Sequence, residues 1–81
     1  MVELRMQVPE GALAALRKDP MEFTRELRIA AAVTWYEHRM LSQGRAAEIA
    51  GMSRAEFIVE LGRYGVSPFQ ESVEDLTRGS G

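Results

Sequence analysis

The residues best suited to chemistry lie in one stretch, residues 43–63. Arg54 and Arg63 stand at the two ends of a short predicted helix, and Arg45 stands in the helix before it. A guanidinium group binds phosphate and pairs bidentately with guanine, so these arginines point to DNA recognition. We expect Arg54 to read a base and the other two arginines to hold phosphates. The predicted DNA-binding residues are Arg45, Ser53, Arg54, Ala55 and Arg63.

The elements that must position these side chains have helix-turn-helix spacing. Residues 42–50 and 53–63 are typical of two short capped helices, and Gly51-Met52-Ser53 forms the turn between them. Short helices joined by a three- or four-residue turn containing glycine are characteristic of this motif. In the motif, the N-terminal residues of the second helix meet base edges in the major groove. The alternative is a pair of helices that pack through a glycine turn and bind no ligand.

The acidic residues of the second helix favour a different function. Glu56 and Glu60 share this helix with the arginines, and Glu60 would repel a phosphate. The whole chain carries 12 acidic and 10 basic residues, whereas nucleic-acid binders usually have a basic excess. The competing interpretation is therefore a protein-binding adaptor that uses the same helices without DNA.

A long helix is predicted before this motif. Asp19, Pro20 and Glu22 form a capping box with proline at the first helical position, so a helix should run from about residue 20 to 40. Residues 10–17 suit a shorter helix ahead of it. The second half of the long helix is apolar on most of its circumference, which indicates burial on more than one side.

Residues 2–8 alternate between apolar and polar side chains, which is the pattern of a strand with one buried face. A single strand needs a partner, and a second copy of the chain could supply it. We therefore predict a homodimer. Its expected interface residues are Val2, Leu4, Met6, Val8, Ile29, Val33 and Tyr36. A second interpretation is a ribbon-helix-helix regulator whose strand reads DNA. The reading residues would then be Glu3, Arg5 and Gln7.

The C-terminal residues suggest a partner-binding tail. Phe69, Val73 and Leu76 are spaced to share one face of a helix that forms on docking, and acidic residues between them keep the tail soluble. The alternative is a disordered terminus with incidental apolar residues. We expect a dimerisation and helix-turn-helix domain over residues 1–66 and a flexible tail over 67–81. The expected fold class is mostly α, with an N-terminal β-strand, a long central helix, a helix-turn-helix and a short C-terminal tail.

The composition argues against several other classes. The chain has no cysteine and one histidine, so we expect neither a disulfide nor a metal site, no cofactor, and no catalytic residue. Its longest apolar run, residues 29–33, is too short to cross a bilayer, and the N-terminus does not resemble a signal peptide. We therefore expect a cytoplasmic protein that is not an enzyme and does not associate with membranes.

Residues from about Leu27 to Val66 resemble a family of small prokaryotic antitoxins first described as an uncharacterised protein family. The resemblance is strongest in Gly44 to Gly51 with Ser53, Arg54 and Phe57, and is supported by Leu27 to Val33 and Tyr36-Glu37. It implies an antitoxin encoded beside a PIN-domain ribonuclease toxin and similar to the VapB type. Such a protein has a dimeric DNA-binding part that represses the shared operon and a tail that inhibits the toxin.

Overall fold

The computed structural model describes residues 1–69, and these contain four helices joined by short connections. Helix α1 comprises Glu10–Leu16, α2 comprises Pro20–Glu37, α3 comprises Gln43–Ala50 and α4 comprises Arg54–Arg63. Helix α2 packs against both α3 and α4, which also pack against each other. The last three helices therefore form the packed part of the molecule.

The predicted N-terminal strand is wrong. Residues 1–9 have no regular secondary structure, and no strand occurs anywhere in the described part of the chain. The side chain of Leu4 is 89% exposed, and Val2 and Met6 are exposed as well. The alternation was real, but a strand needs hydrogen bonds from a neighbouring strand, and the described residues offer none. The correct fold class for residues 1–69 is all-helical.

Helix α2 begins where the sequence predicted and ends earlier. The Asp19 carboxylate accepts a hydrogen bond from the Glu22 amide at 2.8 Å, and the Glu22 carboxylate accepts one from the Asp19 amide at 3.4 Å. The helix was expected to reach residue 40 but ends at Glu37, because Arg39 adopts a left-handed conformation with φ of 61°. A residue in that conformation cannot continue a right-handed helix.

The core lies between one face of α2 and the inner faces of α3 and α4. Phe57 and Leu61 of α4 are fully buried, and the ring of Phe57 meets Tyr36 edge to face with centroids 6.0 Å apart. Small alanines on α3 allow close approach of α2. The buried apolar residues are Ile29, Ala32, Val33, Tyr36, Ala46, Ala47, Ala50, Phe57, Leu61 and Val66.

The first sixteen residues contribute little to this core. Helix α1 contains no buried residue, and Leu16 at its end is exposed. Among residues 1–69, no helix combines the length and the apolar character needed to cross a membrane.

Candidate nucleic-acid interface

The predicted helix-turn-helix spacing is present. Helix α3 is capped by Ser42, whose hydroxyl accepts a hydrogen bond from the Arg45 amide at 3.2 Å. Its C-cap is Gly51, which has φ of 73°, and α4 begins three residues later at Arg54 with Ser53 as its N-cap. Glycine adopts this left-handed conformation without the steric cost that a Cβ would bring. The turn therefore requires glycine at position 51, as the sequence pattern predicted.

Arg28 of α2 fixes the turn from the side. Its Nε donates a hydrogen bond to the Ile49 carbonyl at 2.7 Å, near the C-terminal end of α3. A Cβ added at Gly51 would lie 3.2–3.3 Å from the guanidinium atoms. Arg28 thus lies directly over the glycine and binds a carbonyl that the end of a helix otherwise leaves without a partner.

The start of α4 is held by a second capping box. The Ser53 hydroxyl accepts from the Glu56 amide at 3.1 Å, and the Glu56 carboxylate accepts from the Ser53 amide at 2.9 Å. The hydrogen bonds to Ser53 hold the pKa of Glu56 below its ordinary value. Glu56 is therefore ionised at neutral pH, and its carboxylate caps the N-terminus of α4. Its negative charge still repels an approaching phosphate.

Arg54 is oriented by a neighbouring side chain. Its Nε donates a hydrogen bond of 2.6 Å to the Oε1 atom of Gln43. This bond uses the inner nitrogen of the guanidinium and does not involve the two terminal nitrogens. Those two nitrogens form the fork that pairs with the O6 and N7 atoms of guanine. The arginine predicted to read a base thus lies at the first position of α4 with its fork available.

Gln43 was missed by the sequence analysis. It is only 4% exposed, and its Nε2 donates to the Pro68 carbonyl at 3.1 Å and to the Tyr36 hydroxyl at 3.4 Å. The Tyr36 hydroxyl also donates to the Pro68 carbonyl at 2.8 Å. A signal was present, because Gln43 lies on the same helical face as Ala46, Ala47 and Ala50 and is the polar member of that apolar stripe.

The other two predicted phosphate-binding arginines lie apart from Arg54 and have acidic neighbours. Arg45, in the first turn of α3, contacts Glu48 at 3.0 Å, and Arg63, at the far end of α4, contacts Glu60 at 3.2 Å. Nine residues of helix place Arg63 about 13 Å along the axis from Arg54. Both members of the Arg45–Glu48 pair are mostly exposed, so Arg45 can exchange its carboxylate for a phosphate at small cost. The Glu60 side chain is only 14% exposed, so Arg63 is held more firmly by its carboxylate.

The outer face of α4 is apolar where DNA would approach. Val59 is 65% exposed, and the neighbouring Ile58 is exposed as well. Ala55 and Ser53 are also exposed. This face can contact a thymine methyl group or the apolar surface of another protein.

The predicted dimer and tail residues fall into different environments. Ile29, Val33 and Tyr36 are core residues within one chain and do not form an outer face. Val8 is half-buried, whereas the three apolar residues before it are exposed. Phe69 is 88% exposed, and the other predicted tail residues, Val73 and Leu76, lie outside the described residues. No group of metal-ligating side chains is found among residues 1–69.

Comparison with known proteins identifies the family. The model of an uncharacterised protein family, UPF0175, matches residues 1–79, and the chain belongs to this family. A UPF0175 protein of Aeropyrum pernix is 41% identical over 71 residues, covering 88% of this chain and 74% of the relative. A second from the same organism is 40% identical over 55 residues, covering 68% and 70%. No solved structure matches.

Proposed function

We propose that this member of the UPF0175 family is the antitoxin of a type II toxin–antitoxin system. In this proposal, α3 and α4 bind operator DNA and repress the operon, and the C-terminal region neutralises a PIN-domain ribonuclease. The protein acts by binding and has no catalytic residue of its own. A homodimer would present two such helix pairs to a palindromic operator.

The single observation that carries the DNA-binding part is the position of Arg54. It is the first residue of α4, behind a glycine turn of the required length. The side chain is exposed, and its contact with Gln43 uses only Nε. The first turn of α3 contains no acidic residue, so no carboxylate in that turn repels a phosphate at this helix end. Both features support major-groove binding by α4.

The toxin-binding part has separate support. The resemblance of residues 27–66 to small antitoxins suggests a PIN-domain partner. Phe69, the first residue of the predicted docking stripe, is almost fully exposed just after the segment held by Tyr36 and Gln43. An exposed aromatic residue at that position is suited to anchoring a partner.

The DNA-binding proposal is tested by titrating the protein against a fluorescent fragment of its own promoter. We expect Arg54→Ala to weaken binding by about 1–3 kcal/mol and to relax the preference for one base. Binding should also weaken steeply as salt increases. Arg17→Gly is the matched control, because it removes one charge outside the helix-turn-helix at a residue with φ of 56°, which glycine adopts readily. Equal promoter affinity for wild type and Arg54→Ala would refute the assignment.

A second candidate function is a protein-binding adaptor, which the exposed Ile58 and Val59 favour. Val59→Lys separates the two functions. An added lysine on the outer face of α4 should preserve or strengthen DNA binding through phosphate attraction. It should disrupt an apolar protein interface at the same position. The adaptor is favoured if Val59→Lys loses partner binding and the wild type does not bind the promoter.

A further inference from the structure

One buried side chain contacts both the proposed base-reading arginine and the segment where the C-terminal region begins. Gln43 is the only buried polar side chain among residues 1–69. Its amide oxygen accepts from Arg54, and its amide nitrogen donates to the Pro68 carbonyl and the Tyr36 hydroxyl. The two ends of a single planar group thus connect α4 to residue 68.

The chemistry of the partners permits only one orientation of this amide. Arginine has only donors, and a backbone carbonyl has only acceptors. Rotating the Gln43 amide by 180° would place its nitrogen against the Arg54 donor and its oxygen against the Pro68 carbonyl. Both contacts would then be repulsive. Because a buried amide without partners is costly, loss of a partner at one end makes this orientation of the amide less favourable and weakens the hydrogen bond at the other end.

We propose that Gln43 is a positioning residue that holds Arg54 in its DNA-reading orientation and links that orientation to the anchoring of the chain at Pro68. This inference rests on the proposed DNA binding by α4. When Pro68 leaves its position, the Gln43 amide nitrogen keeps only the more distant Tyr36 hydroxyl as an acceptor, and the amide oxygen holds the Arg54 Nε less firmly. A partner that pulls the C-terminal region away from Tyr36 therefore lowers the affinity for DNA.

The direct test uses a substitution that leaves the Gln43 and Arg54 side chains themselves unchanged. Tyr36→Phe removes the hydroxyl that donates to Pro68 and accepts from Gln43, and it keeps the buried ring. We expect the promoter affinity to fall about 2- to 10-fold, which is the effect of one hydrogen bond, with a reduced preference at the base that Arg54 reads. Gln43→Leu removes both ends of the connection and should reduce affinity at least as much.

Matched controls exclude a general loss of structure. Tyr64→Phe removes the other tyrosine hydroxyl of the chain, whose pKa is raised by burial and by the Glu26 carboxylate and which does not contact this network. Gln7→Leu makes the second glutamine-to-leucine change on the exposed N-terminal segment. Both controls should bind the promoter as the wild type does. Affinities are compared at a temperature well below the melting temperature of each variant. The preference for the base read by Arg54 is measured as well, because a general structural defect would not change the preference at that one base alone.

A second measurement does not depend on DNA. In ¹⁵N NMR spectra of the full chain, the Arg54 Nε–H signal should be protected from exchange in the wild type and lose protection in Tyr36→Phe and Gln43→Leu. Because coupling is reciprocal, Arg54→Ala should increase the mobility of the Phe69 amide.

The two measurements distinguish the two proposals. An unchanged Arg54 signal in Tyr36→Phe would overturn the link, whether or not the protein binds DNA. Wild-type promoter affinity and base preference in both Tyr36→Phe and Gln43→Leu, with Arg54→Ala impaired, would also overturn it while leaving DNA binding intact. Loss of Arg54 protection without any promoter binding by the wild type would overturn the DNA function and with it the role of Gln43 in reading DNA.

Discussion

At the scale of single residues, two glycines near the proposed DNA interface have opposite requirements. Gly51 has φ of 73° and lies beneath the Arg28 guanidinium, whereas Gly44 lies in the first turn of α3 with nothing within 4 Å of the position a Cβ would take. A side chain at Gly51 meets both backbone strain and a close neighbour. A side chain at Gly44 meets neither. Replacing glycine by alanine should therefore destabilise the fold at position 51 and stabilise it at position 44.

We predict that Gly51→Ala lowers the free energy of unfolding by about 1–2 kcal/mol, because alanine pays the left-handed conformational cost. Gly44→Ala should raise it by up to about 1 kcal/mol, because alanine is the better helix former. Urea denaturation followed by circular dichroism measures both. Equal destabilisation by the two substitutions would contradict the geometry of the turn described above.

At the scale of elements, the start of α4 makes the stability of the fold depend on pH. Ser53 and Glu56 bond reciprocally, and this arrangement lowers the pKa of Glu56 in the folded chain. The unfolded chain has the ordinary glutamate pKa of about 4.3. A lowered folded-state pKa stabilises the fold above that pH, and the stabilisation disappears as the pH falls through the folded-state pKa. Asp19, whose pKa is lowered by the Glu22 amide, acts in the same direction at α2.

We predict that Glu56→Gln reduces the loss of stability between neutral pH and pH 3, because glutamine can still cap Ser53 but does not titrate. Ser53→Ala should lower the free energy of unfolding at neutral pH by about 1 kcal/mol through loss of the cap. Urea titrations at several pH values test both expectations. A Glu56→Gln chain that loses stability with falling pH as steeply as the wild type would show that this carboxylate does not contribute.

The helices were predictable from sequence because their determinants are local. Asp19 and Glu22, and likewise Ser53 and Glu56, lie within one helical turn of each other, and Gly51 fixes the turn by its own conformation. The strand could not be settled in this way, because pairing depends on a second segment that local alternation does not reveal. The contact between Arg54 and Gln43 could not be predicted from the sequence either, because it depends on how α3 and α4 pack.

At the scale of the whole molecule, the N-terminal segment leaves apolar side chains uncovered in a single chain. Val2, Leu4 and Met6 are exposed, and the core begins only in α2. Contact of such apolar side chains with water is unfavourable, and another molecule that covers them removes this cost. Since Ile29, Val33 and Tyr36 are already used inside the chain, any dimer must use other surfaces.

We predict a homodimer whose melting temperature rises with protein concentration. Leu4→Lys should lower the melting temperature and shift the chain towards monomer, because it places a charge in the apolar contact. Gln7→Lys adds the same charge at a polar position of the segment and should have little effect. Sedimentation velocity at micromolar concentration measures the association. A monomer whose melting is independent of dilution would reject the dimer.

We also predict that a chain ending after Phe69 keeps its melting temperature. Within residues 1–69 the last buried core residue is Val66, and the Pro68 carbonyl remains bonded in the shorter chain. It should fail to neutralise a PIN-domain ribonuclease co-expressed with it, because the proposed docking stripe is lost. Removing only residues 79–81 is the control and should preserve neutralisation. Full neutralisation by the shorter chain would place the toxin contacts within residues 1–69.

We propose that α3 and α4 form the DNA-binding surface, and NMR chemical-shift mapping locates that surface on the protein. A fragment of the protein's own promoter is added to the ¹⁵N-labelled full chain, and the backbone amide signals are followed. We predict the largest changes in the first turn of α3 and in residues 53–59, with the Arg54 side-chain signal moving as well. If promoter binding leaves those signals unchanged, or shifts only the signals of residues 2–8, then α3 and α4 are not the DNA-binding surface.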